Sequence, residues 1–312
     1  MSAPPRQAAV VLGTRGSALA RAQTDVVIGM LTGAWPELAC ETRVVSTAGD
    51  RTQESGRPLP EIGGKGLFTA ELERALREGE IDVAVHSLKD LPTEDAEGVV
   101  VGAVTRRDDV RDCLVAREGG SLADLAKGAV VGTSSLRRAA QLRALRPDLE
   151  VQSIRGNVDT RIRKVADGEF DAALLAAAGV RRLGLEHEVT EWLSPETMLP
   201  APGQGALAIQ CRADDHPLRA LLATLDDPAA RAETTAERAF LRVLGAGCAA
   251  PVAALAAATT TTRVRLQGLV ASVDGRQMVR VDGEGEPQEL GDELAQRALA
   301  NGADLILAAI RG

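Results

Sequence analysis

Short apolar runs alternate with longer amphipathic stretches over the first two thirds of the chain. Each apolar run has the length of a buried strand, and the stretch after it carries apolar residues at helical spacing. The runs that predict strands are residues 10–12, 43–46, 81–85, 129–132, 151–154 and 171–175. This alternation predicts βα units built around largely parallel sheets.

Helices are predicted between these strands from capping residues and from the spacing of apolar positions. The predicted helices are residues 18–31, 69–78, 136–145 and 158–166. Thr69 is expected to cap the second helix, Leu72 and Leu76 to share its buried face, and Gly79 to end it. Pro147 is expected to terminate the third helix.

The pattern changes in the last ninety or so residues, from about residue 224 onward. Helices are predicted at residues 234–244 and 288–301, and residues 305–310 form a closing apolar segment. Two alternating runs at 264–271 and 277–281 flank Asp274-Gly275, which predicts a β-hairpin. The Ala- and Thr-rich residues 253–262 predict a loop. Together these elements predict a small α+β module.

Composition excludes several classes of function. The chain carries 36 Lys and Arg against 44 Asp and Glu, a net charge of −8, which argues against nucleic-acid and anionic-membrane binding. Its longest apolar run, residues 172–178, is much shorter than the roughly 20 residues of a membrane helix, and the N-terminus lacks a signal-peptide pattern. We therefore expect a cytoplasmic protein, and the lack of a further apolar stripe favours a monomer.

Cysteines and histidines are too scattered to predict a metal site or a disulfide framework. Cys40, Cys113, Cys211 and Cys248 form no CxxC pair, and no histidine lies at metal-ligand spacing from them.

Positive charge is concentrated between residues 129 and 164, where eight basic residues face three acidic ones. Thr133, Ser134 and Ser135 open a predicted helix, whose first turns expose N–H groups toward an anion. Arg137 and Arg138 follow directly, and arginine grips carboxylates or phosphates with a planar fork. Because ligands of open α/β sheets bind at the carboxyl ends of strands, this region predicts a polyanionic ligand. A solvated basic face with an ordinary serine cap is the alternative.

Three further residues are candidates for chemistry. Lys65 lies in a glycine loop that lacks the spacing of a phosphate-binding P-loop, so it is either near an anionic ligand or solvated. Asp90 follows the predicted strand 81–85 and either stabilises positive charge on a ligand or caps the next turn. Cys248 lies among small residues, where its thiol is either reactive or an inert apolar group.

Taken together, the motifs resemble those of the hydroxymethylbilane synthase family, also called porphobilinogen deaminases. They are LGTRGS at 12–17, STAGD at 46–50, GGKGLF at 63–68, HSLKDLP at 86–92, GTSSLRR at 132–138, IRGNVDTR at 154–161, residues 174–184 and PGQGA at 202–206. Each motif alone is modest, but their shared order and spacing across nearly the whole chain are specific.

The resemblance implies an enzyme that condenses four porphobilinogen molecules head to tail into hydroxymethylbilane and releases ammonia. It implies a dipyrromethane cofactor, made from two substrate-derived pyrroles and held by a thioether to Cys248. It also implies that Asp90 is the catalytic residue, which contacts pyrrole N–H groups and stabilises the cationic azafulvene left when the aminomethyl group departs.

The same resemblance assigns the remaining site residues. The implied cofactor-binding residues are Lys89, Ser135, Arg137, Arg138, Arg155, Asp50 and Gly205. The implied substrate-binding residues are Arg15, Ser17, Lys65, Thr133, Ser134, Asn157, Arg161, Arg182 and Gln204. Since each pyrrole bears acetate and propionate groups, the basic residues are expected to pair with carboxylates.

The resemblance further implies three domains. Residues 1–105 and 200–223 form a discontinuous α/β domain with the catalytic aspartate, residues 106–199 an arginine-rich α/β domain, and residues 224–312 an α+β domain with the cofactor cysteine. The two α/β domains are expected to resemble type II periplasmic binding proteins, with a cleft between them. A binding protein or sensor of this architecture is the alternative, although it leaves Cys248 and the third domain unexplained.

Overall fold

The computed structural model describes residues 9–47, 69–247 and 250–311. Asp50, Lys65 and Cys248 therefore lie outside the described residues. Contacts divide the chain into two units, Met1–Arg107 with Ala206–Arg231, and Asp108–Gly205 with Ala232–Gly312. We refer to these as unit 1 and unit 2. The three-domain boundaries expected from the sequence stay a prediction.

The described strands and helices are numbered in chain order. The strands are β1 Val10–Thr14, β2 Cys40–Val44, β3 Val83–Ser87, β4 Val99–Val104, β5 Asp112–Ala116, β6 Val130–Gly132, β7 Glu150–Gln152, β8 Ala172–Ala176, β9 Glu191–Leu193, β10 Leu207–Arg212, β11 Val252–Ala258, β12 Val264–Ala271 and β13 Met278–Gly285. The α-helices are α1 Ala18–Ala34, α2 Ala70–Arg77, α3 Leu136–Leu145, α4 Val158–Ala166, α5 Ala177–Arg182, α6 His216–Leu222, α7 Pro228–Val243, α8 Pro287–Ala298 and α9 Asp304–Arg311.

Unit 1 is built on a five-stranded sheet of order β2-β1-β3-β10-β4. Strand β1 runs parallel to β2 and β3, whereas β10 runs antiparallel to both β3 and β4. Apolar side chains such as Leu12, Val83 and Ile209 are fully buried in its core. The parallel strands therefore bring the loops after β1 and β3 to the same edge of the sheet.

Unit 2 contains a sheet of the same pattern and a smaller one. The five-stranded sheet has the order β7-β6-β8-β5-β9, with β6 parallel to β7 and β8 and with β5 antiparallel to β8 and β9. The three-stranded sheet β11-β12-β13 is antiparallel throughout. Phe240 fills the core beside this smaller sheet, where a Cβ on Gly268 would lie 2.6 Å from the Phe240 ring.

The predicted fold class, two α/β domains of the type II periplasmic-binding-protein kind and a small α+β domain, is confirmed in these sheets. The helix predicted at 136–145 coincides with α3, and the predicted hairpin is formed by β12 and β13. Strands β4, β5, β9 and β10 were not predicted. No helix in the described ranges is long and apolar enough to cross a membrane.

Three local predictions were wrong. Thr69 makes no side-chain capping bond, and its hydroxyl is buried without a partner. The region 253–262 is not simply a loop, because its first part belongs to strand β11, where Ala253 and Ala254 are fully buried. Here packing in the sheet outweighs the weak strand propensity of alanine. The second strand lies at Cys40–Val44 and not at residues 43–46.

Candidate active site

One group of polar residues lies at the carboxyl ends of β1 and β3 in unit 1. Arg15 and Ser17 follow β1, and the Ser17 hydroxyl accepts the Ala20 N–H at 3.3 Å as the N-cap of α1. Asp90 ends a short 3-10 turn that follows β3. These three residues line one pocket, which we call the Asp90 pocket; its other lining residues are Leu19, Ala20, Gln23, Thr69, Val85, His86 and Ser87.

The walls of the Asp90 pocket differ in charge and in exposure. Asp90 is exposed and Arg15 is half-buried. His86 is only 6% exposed, and burial lowers its pKa to about 4, with the Arg15 charge acting in the same direction. Gln23 donates a hydrogen bond to the Ser87 hydroxyl at 2.7 Å. The pocket thus combines a cation, an exposed carboxyl group and a neutral imidazole at neutral pH.

A second group of polar residues is buried in unit 2 around Asp112, the first residue of β5. The fully buried Asp112 carboxylate accepts from Arg137 Nη1 at 2.7 Å, from Arg138 Nη2 at 2.7 Å and from Gln204 Nε2 at 2.8 Å. Arg137 Nη1 also donates to the Leu199 carbonyl at 2.7 Å. We call Asp112, Arg137, Arg138 and Gln204 the Asp112 cluster.

The Asp112 cluster holds two guanidinium groups and one carboxylate. Burial raises the pKa of Asp112, but the charges and hydrogen bonds of Arg137 and Arg138 outweigh it and hold that pKa well below the usual range. The two arginines are 4% and 6% exposed, and the Nε atom of each is buried without a hydrogen-bond partner. The cluster therefore carries an excess positive charge and two unsatisfied N–H donors.

Two family models match the chain. One, described as the dipyromethane cofactor binding domain of porphobilinogen deaminase, matches residues 10–220, and the porphobilinogen deaminase C-terminal domain matches residues 231–300. The chain belongs to the porphobilinogen deaminase family. Members of this family are transferases of porphyrin and haem biosynthesis. The resemblance expected from the sequence motifs, with its dipyrromethane cofactor, is therefore confirmed.

Similar full-length proteins support this assignment. The chain is 47% identical over 300 residues to the porphobilinogen deaminase of Brevibacillus brevis, covering 96% of each chain. It is 48% identical over 305 residues to that of Thermus thermophilus, covering 97% of this chain and 99% of the relative. Among solved structures, the OxyR2 regulatory domain of Vibrio vulnificus is 17% identical with a TM-score of 0.43, over 70% of this chain and 95% of that chain. No functional conclusion follows from so distant a likeness.

The serine-rich turn before α3 is held by local hydrogen bonds. Ser135 is the N-cap of α3 and accepts the Arg138 N–H at 3.5 Å. Thr133 is buried, and its hydroxyl accepts the Ser135 N–H at 3.2 Å. Ser134 is exposed and donates to the Ile154 carbonyl at 2.6 Å. These bonds fix the backbone from which Arg137 and Arg138 enter the Asp112 cluster.

The turn before α4 and the first part of that helix contain three predicted ligand-binding residues. Arg155 is half-buried and has no hydrogen bond or ion pair within the described part of the chain. Arg161 Nε donates to the Gly156 carbonyl at 2.8 Å, and Asn157 occupies the N-cap position without a side-chain capping bond. Arg155 can therefore bind a carboxylate without breaking an existing contact, and its predicted ligand-binding role stays a prediction.

Arg182 and Gly205 are hydrogen-bonded to each other in unit 2. Arg182 Nη2 donates to the Gly205 carbonyl at 2.6 Å, and the same carbonyl accepts the Asp108 N–H at 3.1 Å. Gly205 has a φ of +92°, and a Cβ there would lie 2.6 Å from the Asp108 carbonyl oxygen. Only glycine fits this crossing. Lys89 is half-buried and is not among the residues that line the Asp90 pocket. The ligand-binding roles predicted for Arg182, Gly205 and Lys89 stay predictions.

Sequence reasoning missed two residues, Asp112 and His86. The sequence feature that could have identified Asp112 is its position as a charged residue directly before an apolar run, in the segment that forms β5. His86 was quoted within a motif, but nothing in the sequence indicated its burial. No three His, Cys, Asp or Glu side chains in the described ranges are arranged to hold a metal ion.

Proposed function

We propose that this chain condenses four porphobilinogen molecules head to tail into hydroxymethylbilane, with release of ammonia, and that Asp90 is its catalytic residue. The observation that carries the proposal is the Asp90 pocket, where an exposed carboxylate lies with Arg15 and Ser17 at the carboxyl ends of two parallel strands. Ligands of open α/β sheets bind at this edge.

Asp90 suits the charge changes of this reaction. Loss of ammonia from the aminomethyl group leaves positive charge on the substrate pyrrole. A carboxylate that accepts the pyrrole N–H stabilises that charge as it develops, which lowers the barrier to the step. Arg15 binds an acetate or propionate of the same pyrrole, and Ser17 adds a hydrogen bond, so that the ring is held in a fixed orientation.

The arginines of unit 2 suit the acidic side chains of the product and of the dipyrromethane. The cofactor, when bound, supplies the primer from which the pyrrole chain grows. The excess positive charge and unsatisfied Nε donors of the Asp112 cluster fit a carboxylate-bearing group of this kind. Arg155, Arg161 and Asn157 extend the same basic region and are proposed to bind further carboxylates.

Cys248 is proposed to form the thioether to the dipyrromethane, and intact mass under denaturing conditions tests this. The purified chain is expected to show an excess mass of two linked pyrroles, confined by peptide mapping to the peptide that contains Cys248. Cys248→Ser should lack the adduct, whereas Cys40→Ser, a half-buried cysteine in β2, should keep it. A chain that stays unmodified after incubation with porphobilinogen would favour a binding protein over the enzyme.

We also propose that the chain acts as a cytoplasmic monomer without nucleic-acid or membrane partners. Its net charge of −8 supports the lack of a nucleic-acid or anionic-membrane partner. Light scattering coupled to gel filtration tests the oligomeric state, and a mass of twice 32.6 kDa would contradict the monomer.

A further inference from the structure

The Asp112 carboxylate has no role in the chemistry proposed above, yet it is fully buried and contacts three predicted ligand-binding residues. Burying an ionic cluster of this kind is a poor way to gain stability, because desolvation offsets the attraction between the charges. Apolar residues of similar volume often stabilise a core as well or better. The burial of these charged groups therefore indicates a role other than stabilising the fold.

The hydrogen bonds of the cluster fix the orientation of both guanidinium groups. Arg137 is held through Nη1 by Asp112 Oδ2 and by the Leu199 carbonyl. Arg138 is held by Asp112 Oδ1 at Nη2 and by the Leu174 carbonyl at Nη1, 3.0 Å away. Because a guanidinium group is planar, these bonds also set the direction of each Nε–H.

The carboxylate is itself held in place. Gln204 Nε2 donates to Asp112 Oδ1 at 2.8 Å and to the Val110 carbonyl at 2.8 Å. Gln204 thereby ties the carboxylate to the backbone just before β5. Asp112 is consequently held through Gln204 as well as through the two arginines.

The charge of the cluster is also set by Asp112. One carboxylate between two guanidinium groups leaves a single uncompensated positive charge in a buried setting. Without the carboxylate the two arginines would repel each other at short range. With it, the pair remains together and still attracts an anion.

We propose that Asp112 is a positioning residue that holds Arg137 and Arg138 ready for a carboxylate-bearing ligand, and that it thereby sets the rate at which the chain acquires its dipyrromethane. This inference rests on the proposed function. It predicts that moving the carboxylate, even with its charge retained, slows acquisition of the covalent adduct.

The test measures adduct formation directly, and not turnover. Each protein is produced in a host unable to make porphobilinogen, then incubated with a range of porphobilinogen concentrations while intact mass follows the two-pyrrole adduct. Thermal unfolding gives the folded fraction, to which every rate is normalised. The informative variant is Asp112→Glu, which keeps the charge but lengthens the side chain by one methylene group.

Asp112→Glu is expected to fold and to load about tenfold to a hundredfold more slowly than the wild type, with a higher half-saturating porphobilinogen concentration, since displacements near 1 Å have effects of this size. Asp112→Asn should load more slowly still in its folded fraction. Gln204→Met keeps all three charges of the cluster and should slow adduct formation by a smaller factor. If neither Asp112 variant folds, the loading rate of Gln204→Met tests the positioning role.

Asp148→Asn is the matched control. It breaks another Arg–Asp pair of unit 2, between Asp148 Oδ2 and Arg146 Nη2 at 2.8 Å, and this pair makes no hydrogen bond to the side chains of the cluster. Its loading rate should stay within about twofold of the wild type. A wild type that fails to load contradicts the proposed function. A wild type that loads, with folded Asp112→Glu and Gln204→Met loading equally fast, overturns the positioning role alone.

Discussion

The five-stranded sheets of the two units share one topology but use their charged residues in opposite ways. In both sheets an antiparallel strand lies beside the third parallel strand, β10 beside β3 in unit 1 and β5 beside β8 in unit 2. At the start of that strand, unit 1 pairs Leu207 with Ser87, whereas unit 2 pairs Asp112 with Ala176. The same position is thus apolar in one sheet and ionic in the other.

The difference separates two uses of a carboxylate. In unit 1 the carboxylate lies after the parallel strand β3, at Asp90, where it is exposed and able to contact a ligand. In unit 2 the carboxylate lies within the antiparallel strand β5, at Asp112, where its partners are the arginines of the chain itself. An exposed carboxylate can act on a reaction at little cost in stability, whereas a buried one is tied to the stability of the fold.

The largest expected effect concerns Asp90. Asp90→Ala should reduce hydroxymethylbilane formation by about a thousandfold or more, because the developing positive charge loses its counter-charge. The measurement is single-turnover release of ammonia from the loaded chain. Asp95→Ala, a nearby exposed carboxylate, is the control and should retain normal turnover. Near-normal turnover in Asp90→Ala would end the catalytic assignment.

The second prediction tests the buried carboxylate by stability. Asp112→Asn should lower the free energy of unfolding of unit 2 by about 3 to 5 kcal/mol, since it leaves two buried guanidinium groups without a counter-charge. Asp90→Asn should change the stability of unit 1 by no more than about 0.5 kcal/mol.

The two tryptophans allow each unit to be followed separately. Trp35 lies in unit 1 and Trp192 in unit 2, so Trp35→Phe and Trp192→Phe each leave one fluorescent reporter. Urea unfolding of the carboxylate variants in these two backgrounds gives a midpoint for each unit. Equal losses for Asp90→Asn and Asp112→Asn would show that the contrast between the sheets is wrong.

The third prediction uses the pH dependence of stability. Burial lowers the pKa of His86 to about 4 from its ordinary 6.5, so between these values the unfolded chain binds a proton that the folded chain does not. The stability of unit 1 should therefore fall as pH decreases from about 6.5 to 4, by roughly 3 kcal/mol. The stabilisation that the ionised Asp112 carboxylate provides is also lost as the pH falls, but it is fully present above the ordinary pKa of 3.8 and is lost only at lower pH.

Urea midpoints between pH 7 and pH 4.5 measure this difference. The Trp35 signal should shift to lower urea as the pH falls, and His86→Gln should remove most of the shift. The exposed His187 provides the control variant, His187→Gln, which should keep the wild-type dependence. A Trp35 midpoint with the same pH dependence in His86→Gln and in the wild type would refute the assignment to His86.

The contrast between the sheets was only partly predictable from the sequence. Periodicity and caps located β1, α1, α3 and α4, because each of these elements depends on neighbouring residues. Strands β5 and β10 escaped prediction because polar residues interrupt their apolar pattern: β5 opens on the buried Asp112, and β10 contains the buried Gln210. The motifs identified Arg137 and Arg138 as anion-binding, but the partner that the structure shows for them, Asp112, comes from a strand more than twenty residues earlier in the chain.

The smallest expected effect concerns a feature that the two sheets share. Ser17 and Ser135 are the N-caps of the helices that follow the first parallel strand in each sheet, and both hydroxyls accept a backbone N–H. Ser17→Ala and Ser135→Ala should each cost about 0.5 to 1 kcal/mol, at the lower end for Ser135, whose 3.5 Å bond is the longer. Urea midpoints in the Trp35 and Trp192 backgrounds measure each loss separately. Since the cap is a local interaction, each substitution should leave the other unit unchanged; a loss in both midpoints would instead mean that the two units unfold together.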